Sequence, residues 1–210
     1  MSIVLHTLVF AVSFGLLIVA MTFHEFAHGW TAYKLGDSTA KDSGRLTLNP
    51  LAHIDPLMTI LLPLFLFIST NGRFVFGAAK PVPVNFMALR NPKRDIIWVG
   101  LSGPAANFLL AVLLTVLKKF LPPLEYINFI LENLILINVV LGVFNLIPIP
   151  PLDGSRVVMG ILPRGLAYVY AKIEPFGFII IMGLLWLGVF NIIVWPFVDA
   201  IVNLLNSLIK

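Results

Sequence analysis

The stretch "TFHEFAHGW", residues 22–30, sets two histidines and a glutamate at the end of a run that is otherwise apolar. On an α-helix, residues four apart lie one above the other on the same face. His24 and His28 can therefore offer two imidazoles to one metal ion. Glu25 stands beside that face, within reach of a water on the ion. This is the H-E-x-x-H arrangement. Zinc held there would lower the pKa of its water to about 7, and the glutamate would accept the proton. The competing reading is a chance match or a packed polar helix pair. Inside a membrane span that competitor is weak, because ionisable residues there are costly and usually functional.

Two imidazoles do not complete a catalytic zinc site, which takes three protein ligands and keeps one position open. The chain contains no cysteine, so disulfides and thiolate ligands are excluded and the third donor must come from His, Asp or Glu. Asp153, in "PIPPLDGSR", is the leading candidate. Pro148, Pro150 and Pro151 cannot continue a regular helix and so free backbone just before it. Freed backbone at membrane depth is tolerated only when buried in protein or lining a watery cavity. The same aspartate could instead cap a helix N-terminus.

Asn107 and Asn145 could each donate to a developing oxyanion, or bond neighbouring backbone where helices pack. His53, in "LAHIDP", could orient the site or approach a substrate; the simpler reading is a loop histidine bonded to backbone. His6 lies about 27 Å along the first helix from His24 and reads as an interfacial polar residue. Ser102 belongs to "SGPAA", whose small residues allow close helix approach, and is not read as a nucleophile. Glu174, before Pro175, is either a helix-end charge or part of a gate.

The elements that must position these groups are apolar helices. Hydrophobic residues make up 59% of the chain and the mean hydropathy is +0.99, more than a soluble domain with so few charges could cover. The class expected is an all-α polytopic membrane protein, one integral-membrane domain over residues 1–210, with about five or six spans. The net charge of +4 reads as membrane topology; no basic stripe with interleaved aromatics points to nucleic acid. The N-terminus lacks a charged n-region and a cleavage site, so its apolar run is expected as a retained span.

Residues 3–33 form the first expected helix, followed by a polar, turn-rich connection over 34–56. Residues 57–68 are apolar but reach only about 18 Å, which predicts a half-spanning or re-entrant piece. In 70–94, "KPVPVN" looks extended because of Pro81 and Pro83. Spans are expected at 96–117 and 125–147, a mixed interfacial segment at 155–173, and a final hairpin at 175–190 and 191–209, bent near Pro196. Trp186 and Trp195 read as interface anchors. If 34–94, 148–173 and Lys210 face the cytoplasm, only Lys118 and Lys119 of the 14 Lys and Arg lie outside. The positive-inside rule selects that orientation. It puts the N-terminus outside and the histidine motif in the cytoplasmic half.

"HEFAH" (24–28), "SGPAANF" (102–108) and "NLIPIPPLDG" (145–154), in this order, resemble the site-2 protease family of intramembrane zinc metalloproteases. "GRLTLNPLAHIDP" (44–56) and "KPVPVN" (80–85) extend the resemblance to its compact prokaryotic branch, without PDZ or CBS segments. The resemblance implies one zinc per chain, held by His24, His28 and Asp153, with Glu25 as general base. It implies peptide-bond hydrolysis in a transmembrane protein substrate, within the bilayer of a prokaryotic plasma membrane. It places Asn107 and Asn145 near the active site, and it sets no oligomeric state. The rival readings are a membrane metal-ion transporter and a non-catalytic metal-binding protein. A transporter would want polar residues along a path across the bilayer, whereas here they gather at one depth.

Overall fold

Residues 3–34 wind into one long helix, α1 (Ile3–Lys34). The computed structural model describes residues 3–71 and 77–208, with side chains from Thr7 onward. The His6 side chain, residues 72–76 and Lys210 lie outside the described residues. Ala20, His24, His28 and Ala32 are all buried. They recur every four residues, so they form one stripe with an alanine at each end and the imidazoles between. The remaining helices are α2 (Thr39–Asp42), α3 (Leu62–Ser69), α4 (Pro92–Phe120), α5 (Glu125–Asn145), α6 (Asp153–Ile161), α7 (Arg164–Ala171), α8 (Gly177–Trp186) and α9 (Val189–Ser207). The described residues include no β-strand. The protein is an all-α polytopic membrane protein: five helical runs of these residues are long and apolar enough to cross a membrane.

Helix α4 is the hub and packs against α1, α5 and α6. Its buried residues are Asp95, Val99, Gly100, Gly103, Pro104, Asn107, Ala111 and Thr115, small or polar apart from Val99. Its opposite face exposes Leu109, Leu113, Val116 and Leu117. This is the pattern expected in lipid, where small residues let backbones approach and large apolar ones face the tails. Ala111 of α4, Ile135 and Val139 of α5, and Val194, Val198 and Leu205 of α9 close an apolar core beyond the histidine level.

The short apolar piece runs from Pro56 to Ser69, a π-helical stretch passing into α3. At about 1.5 Å per residue it reaches about 21 Å, too short to cross. The expected interfacial segment 155–173 is not one element. Pro163 lacks the N–H that would continue α6, so the chain restarts as α7. From there Arg164–Trp186 runs through α8 as a candidate span of 23 residues, so the last hairpin begins about ten residues earlier than expected. Gly188, at φ 70°, turns the chain into α9.

The segment after residue 77 is extended, as its prolines require, yet among the described residues no strand lies beside it. Its backbone groups pair elsewhere, as buried peptide groups must. Ala78 N–H donates to Met58 O, and Lys80 N–H to His53 O. The Arg45 guanidinium donates to Lys80 O at 2.8 Å. Asn85 N–H donates to Asp37 Oδ2 at 2.7 Å. Side chains and loop carbonyls thus replace a sheet ladder.

Candidate metal centre and active site

Helices α1 and α6 bring three donor atoms to one point. Nε2 of His24 and Nε2 of His28 are 3.0 Å apart. Asp153 Oδ2 lies 3.0 Å from the first and 3.2 Å from the second. Among the described residues this is the group of His, Cys, Asp and Glu side chains able to hold a metal ion. Asp153 does not cap α6: the N-cap is Leu152, and Asp153 begins the helix with its carboxylate turned to the imidazoles. Gly154 permits this seat, since a Cβ there would overlap Leu146 O at the end of α5.

The second nitrogens define the chemistry of the three donors. His28 Nδ1 lies 2.7 Å from Val99 O. A carbonyl can only accept, so Nδ1 carries the proton and Nε2 of the neutral ring carries the lone pair. His24 Nδ1 lies 2.6 Å from Asn107 Oδ1 and is likewise the donor. Two lone pairs and a carboxylate oxygen then converge, which only a cation makes favourable. Ligands about 2.0–2.2 Å from a tetrahedral zinc stand roughly 3.3 Å from one another, close to the separations found. Space is also kept for an ion. A methyl group on Gly103 would strike Nε2 of His28 and the ring of His24. The residues present therefore fit a zinc ion.

The donors open on a cavity of about 660 Å³, lined also by Glu25, Val82, Asn145 and Arg156. Glu25 Oε2 accepts the Val82 N–H at 2.7 Å, so the extended segment holds the carboxylate at the cavity wall. Asn145 is at the rim, with Nδ2 donating to Leu141 O at 3.0 Å. Asn107 is fully buried behind His24 and does not line the cavity; its amide faces the imidazole and the backbone, not the space a substrate would enter. His53 is also outside the cavity, buried, with Nε2 donating to Thr47 O at 2.8 Å. Glu174 pairs with Arg156 through two bonds, of 2.6 and 3.0 Å, which tie α6 to the start of α8.

The model of peptidase family M50 matches residues 123–188, which include Asp153. YwhC of Bacillus subtilis is 37% identical over 196 residues, covering 88% of this chain and 84% of its own length. The chain belongs to peptidase family M50. Rip2 of Mycolicibacterium smegmatis is 35% identical over 80% of this chain and 64% of its own length. Both relatives carry zinc metalloprotease in their names, as does MJ0392 of Methanocaldococcus jannaschii, 28% identical over 80% of this chain and 39% of its own. No solved structure matches. This M50 chain is a zinc metalloprotease of the membrane, and zinc is the cation that the three donors suit.

Three contributors to the site escape sequence reasoning. Val82 acts through its backbone; the signal is that Pro81 and Pro83 leave it the one N–H of that tripeptide. Gly103 reads in sequence as a helix-packing residue and not as the floor of a metal site. Asn138, whose Oδ1 accepts from Nδ2 of Asn107 at 2.8 Å behind His24, is a polar residue within a span, which is itself a cue.

Proposed function

We propose that this protein is an intramembrane endopeptidase that hydrolyses a peptide bond in or near a transmembrane segment of another membrane protein. One observation carries the reading: Glu25 and the three donors line a single cavity among helices that are otherwise apolar. Hydrolysis needs water, which the bilayer interior lacks, so a cavity that carries polar groups is a requirement of the reaction.

When bound to His24, His28 and Asp153, zinc supplies Lewis acidity for the attacking water and for the scissile carbonyl. Glu25 is the general base. Val82 N–H fixes one of its oxygens, and among the described residues the other has no partner, so it can accept the proton. The same carboxyl then returns that proton to the leaving amine. Asn145 has a second amide hydrogen beyond the one donated to Leu141 O, and this can meet the oxyanion. A transmembrane helix hides its carbonyls in hydrogen bonds, so the substrate unwinds locally before attack. The extended segment 80–85 offers an edge for it. The lysine and arginine distribution supports a cytoplasmic-side active site and an outer N-terminus; the shortness of Pro56–Ser69 supports a re-entrant piece, and the bacterial and archaeal relatives support a prokaryotic plasma membrane.

The test is detergent-purified protein with a panel of single-span substrates, wild type beside Glu25→Gln, with bound zinc quantified. Wild type is expected to cleave, and Glu25→Gln to lose at least about 10²-fold in rate while each holds one zinc. Equal cleavage by the variant would remove Glu25 from the reaction. Wild type without zinc would remove the metal site.

A further inference from the structure

We propose that Asn138, on α5, is a positioning residue for the metal centre. Acting through Asn107, it holds His24 in the tautomer that presents an Nε2 lone pair to the ion. The inference rests on His24 being a zinc ligand and adds a residue that touches neither metal nor cavity.

A chain of one-way hydrogen bonds carries the argument. Asn138 Nδ2 donates to Leu134 O at 2.8 Å. A carbonyl only accepts, so this bond sets which end of the Asn138 amide is which. Asn138 Oδ1 then faces Asn107 and accepts from its Nδ2 at 2.8 Å. Asn107 Nδ2 also donates to Ala20 O, at a longer 3.3 Å. With Nδ2 committed, Asn107 Oδ1 is the atom facing His24, and it accepts from Nδ1 at 2.6 Å. His24 Nδ1 therefore holds the proton and Nε2 is free to ligate.

Each link is buried: Asn107 and Asn138 have no exposed surface, and His24 is 7% exposed. Bulk water therefore does not compete for these bonds. If the Asn107 amide turned over, its oxygen would face two acceptors, Asn138 Oδ1 and Ala20 O, and its nitrogen would face Nδ1 of His24. That would favour the wrong tautomer, with the proton on Nε2. Of the two acceptors that prevent this, Asn138 Oδ1 is the closer and better placed. His28 needs no such relay, because a backbone carbonyl, Val99 O, orients it directly. The relay also explains why a helix that supplies no ligand carries a fully buried amide in its middle, where an unpaired one would be costly.

The experiment compares Asn138→Leu with wild type by chelator competition for zinc and by ¹⁵N resonances of the imidazoles in metal-free protein. Outer groups that orient a ligating histidine typically change metal affinity 10- to 100-fold. Asn138→Leu is expected to weaken zinc binding by about that factor and to show a His24 population protonated at Nε2. In Asn138→Asp the buried carboxyl is expected to be protonated, its O–H replacing the N–H toward Leu134 O and its other oxygen accepting from Asn107, so this variant is expected to stay near wild type. Asn133→Leu removes an α5 amide that, among the described residues, bonds only its own turn, at Phe129 O, and is expected to change neither reading. Asn138→Ala carries the same test if the leucine variant does not fold. Wild-type affinity and tautomer in Asn138→Leu would overturn the proposal, as would a loss in Asn138→Asp equal to that in Asn138→Leu. Wild type that binds no zinc would instead overturn the metal reading itself.

Discussion

Gly103 shows how much rests on a missing side chain. A Cβ there would lie against Nε2 of both His24 and His28, in the volume that an ion held by them would take. Overpacking a closed site costs about 1–3 kcal/mol, and here the groups pushed aside are the proposed metal ligands. Gly103→Ala is therefore expected to weaken zinc binding about tenfold or more, read by chelator competition. Gly183→Ala, where a Cβ meets nothing within 4 Å, should leave it unchanged. At this scale the sequence was informative about ligand types and poor about their supports. His24, Glu25 and His28 are close in sequence, and helical periodicity alone brings them together. Asn107 and Asn145 are the same residue type, and type does not tell which of them backs a ligand and which faces the cavity.

Among the elements, the extended segment after residue 77 has the greatest consequence for chemistry. Among the described residues it is held not by a strand but by Met58 and His53, Arg45, Asp37 and Glu25, and the last of these bonds runs both ways in effect: the segment is anchored, and the proposed base is aimed. Proline suits an extended backbone and has no N–H to lose on either side of Val82. Val82→Pro thus removes the donor to Glu25 with little change of backbone preference. It is expected to lower kcat about tenfold, the range of one charge-assisted hydrogen bond, with bound zinc unaltered. Loss of zinc together with activity would mean that the segment holds the metal site and not the base. The prolines made this extended form legible in advance. Its anchors were not, because they come from four separate stretches of chain.

For the whole molecule, the arrangement of helices sets a sidedness that can be measured directly. The chain has no cysteine, so single cysteines can be introduced without a background. In intact cells an impermeant maleimide is expected to label a cysteine at Pro123, between α4 and α5, and not one at Ser43, between α2 and the π-helical stretch. The reverse pattern would invert the proposed orientation and put the active site on the outer side. Composition made the membrane class plain, and the five spans follow from length and hydropathy. The last hairpin was harder to read: α7 is amphipathic and opens with Arg164, so a scan for purely apolar runs starts the span too late.

What the sequence determined by itself is local. Four-residue spacing on one helix fixed the pair of imidazoles, the absence of cysteine fixed the donor chemistry, and the prolines before Asp153 fixed a break in the helix. What only the tertiary structure decided is remote. Asp153 meets His28 across 125 residues, Val82 meets Glu25 across 57, and Asn138 reaches Asn107 across 31. The physical reason is the solvent. In water, hydrophobic contrast marks the face that packs inward. In a bilayer both the lipid and the protein interior are apolar, so the inward face is marked only by small and polar residues, and which helix they meet is settled by packing.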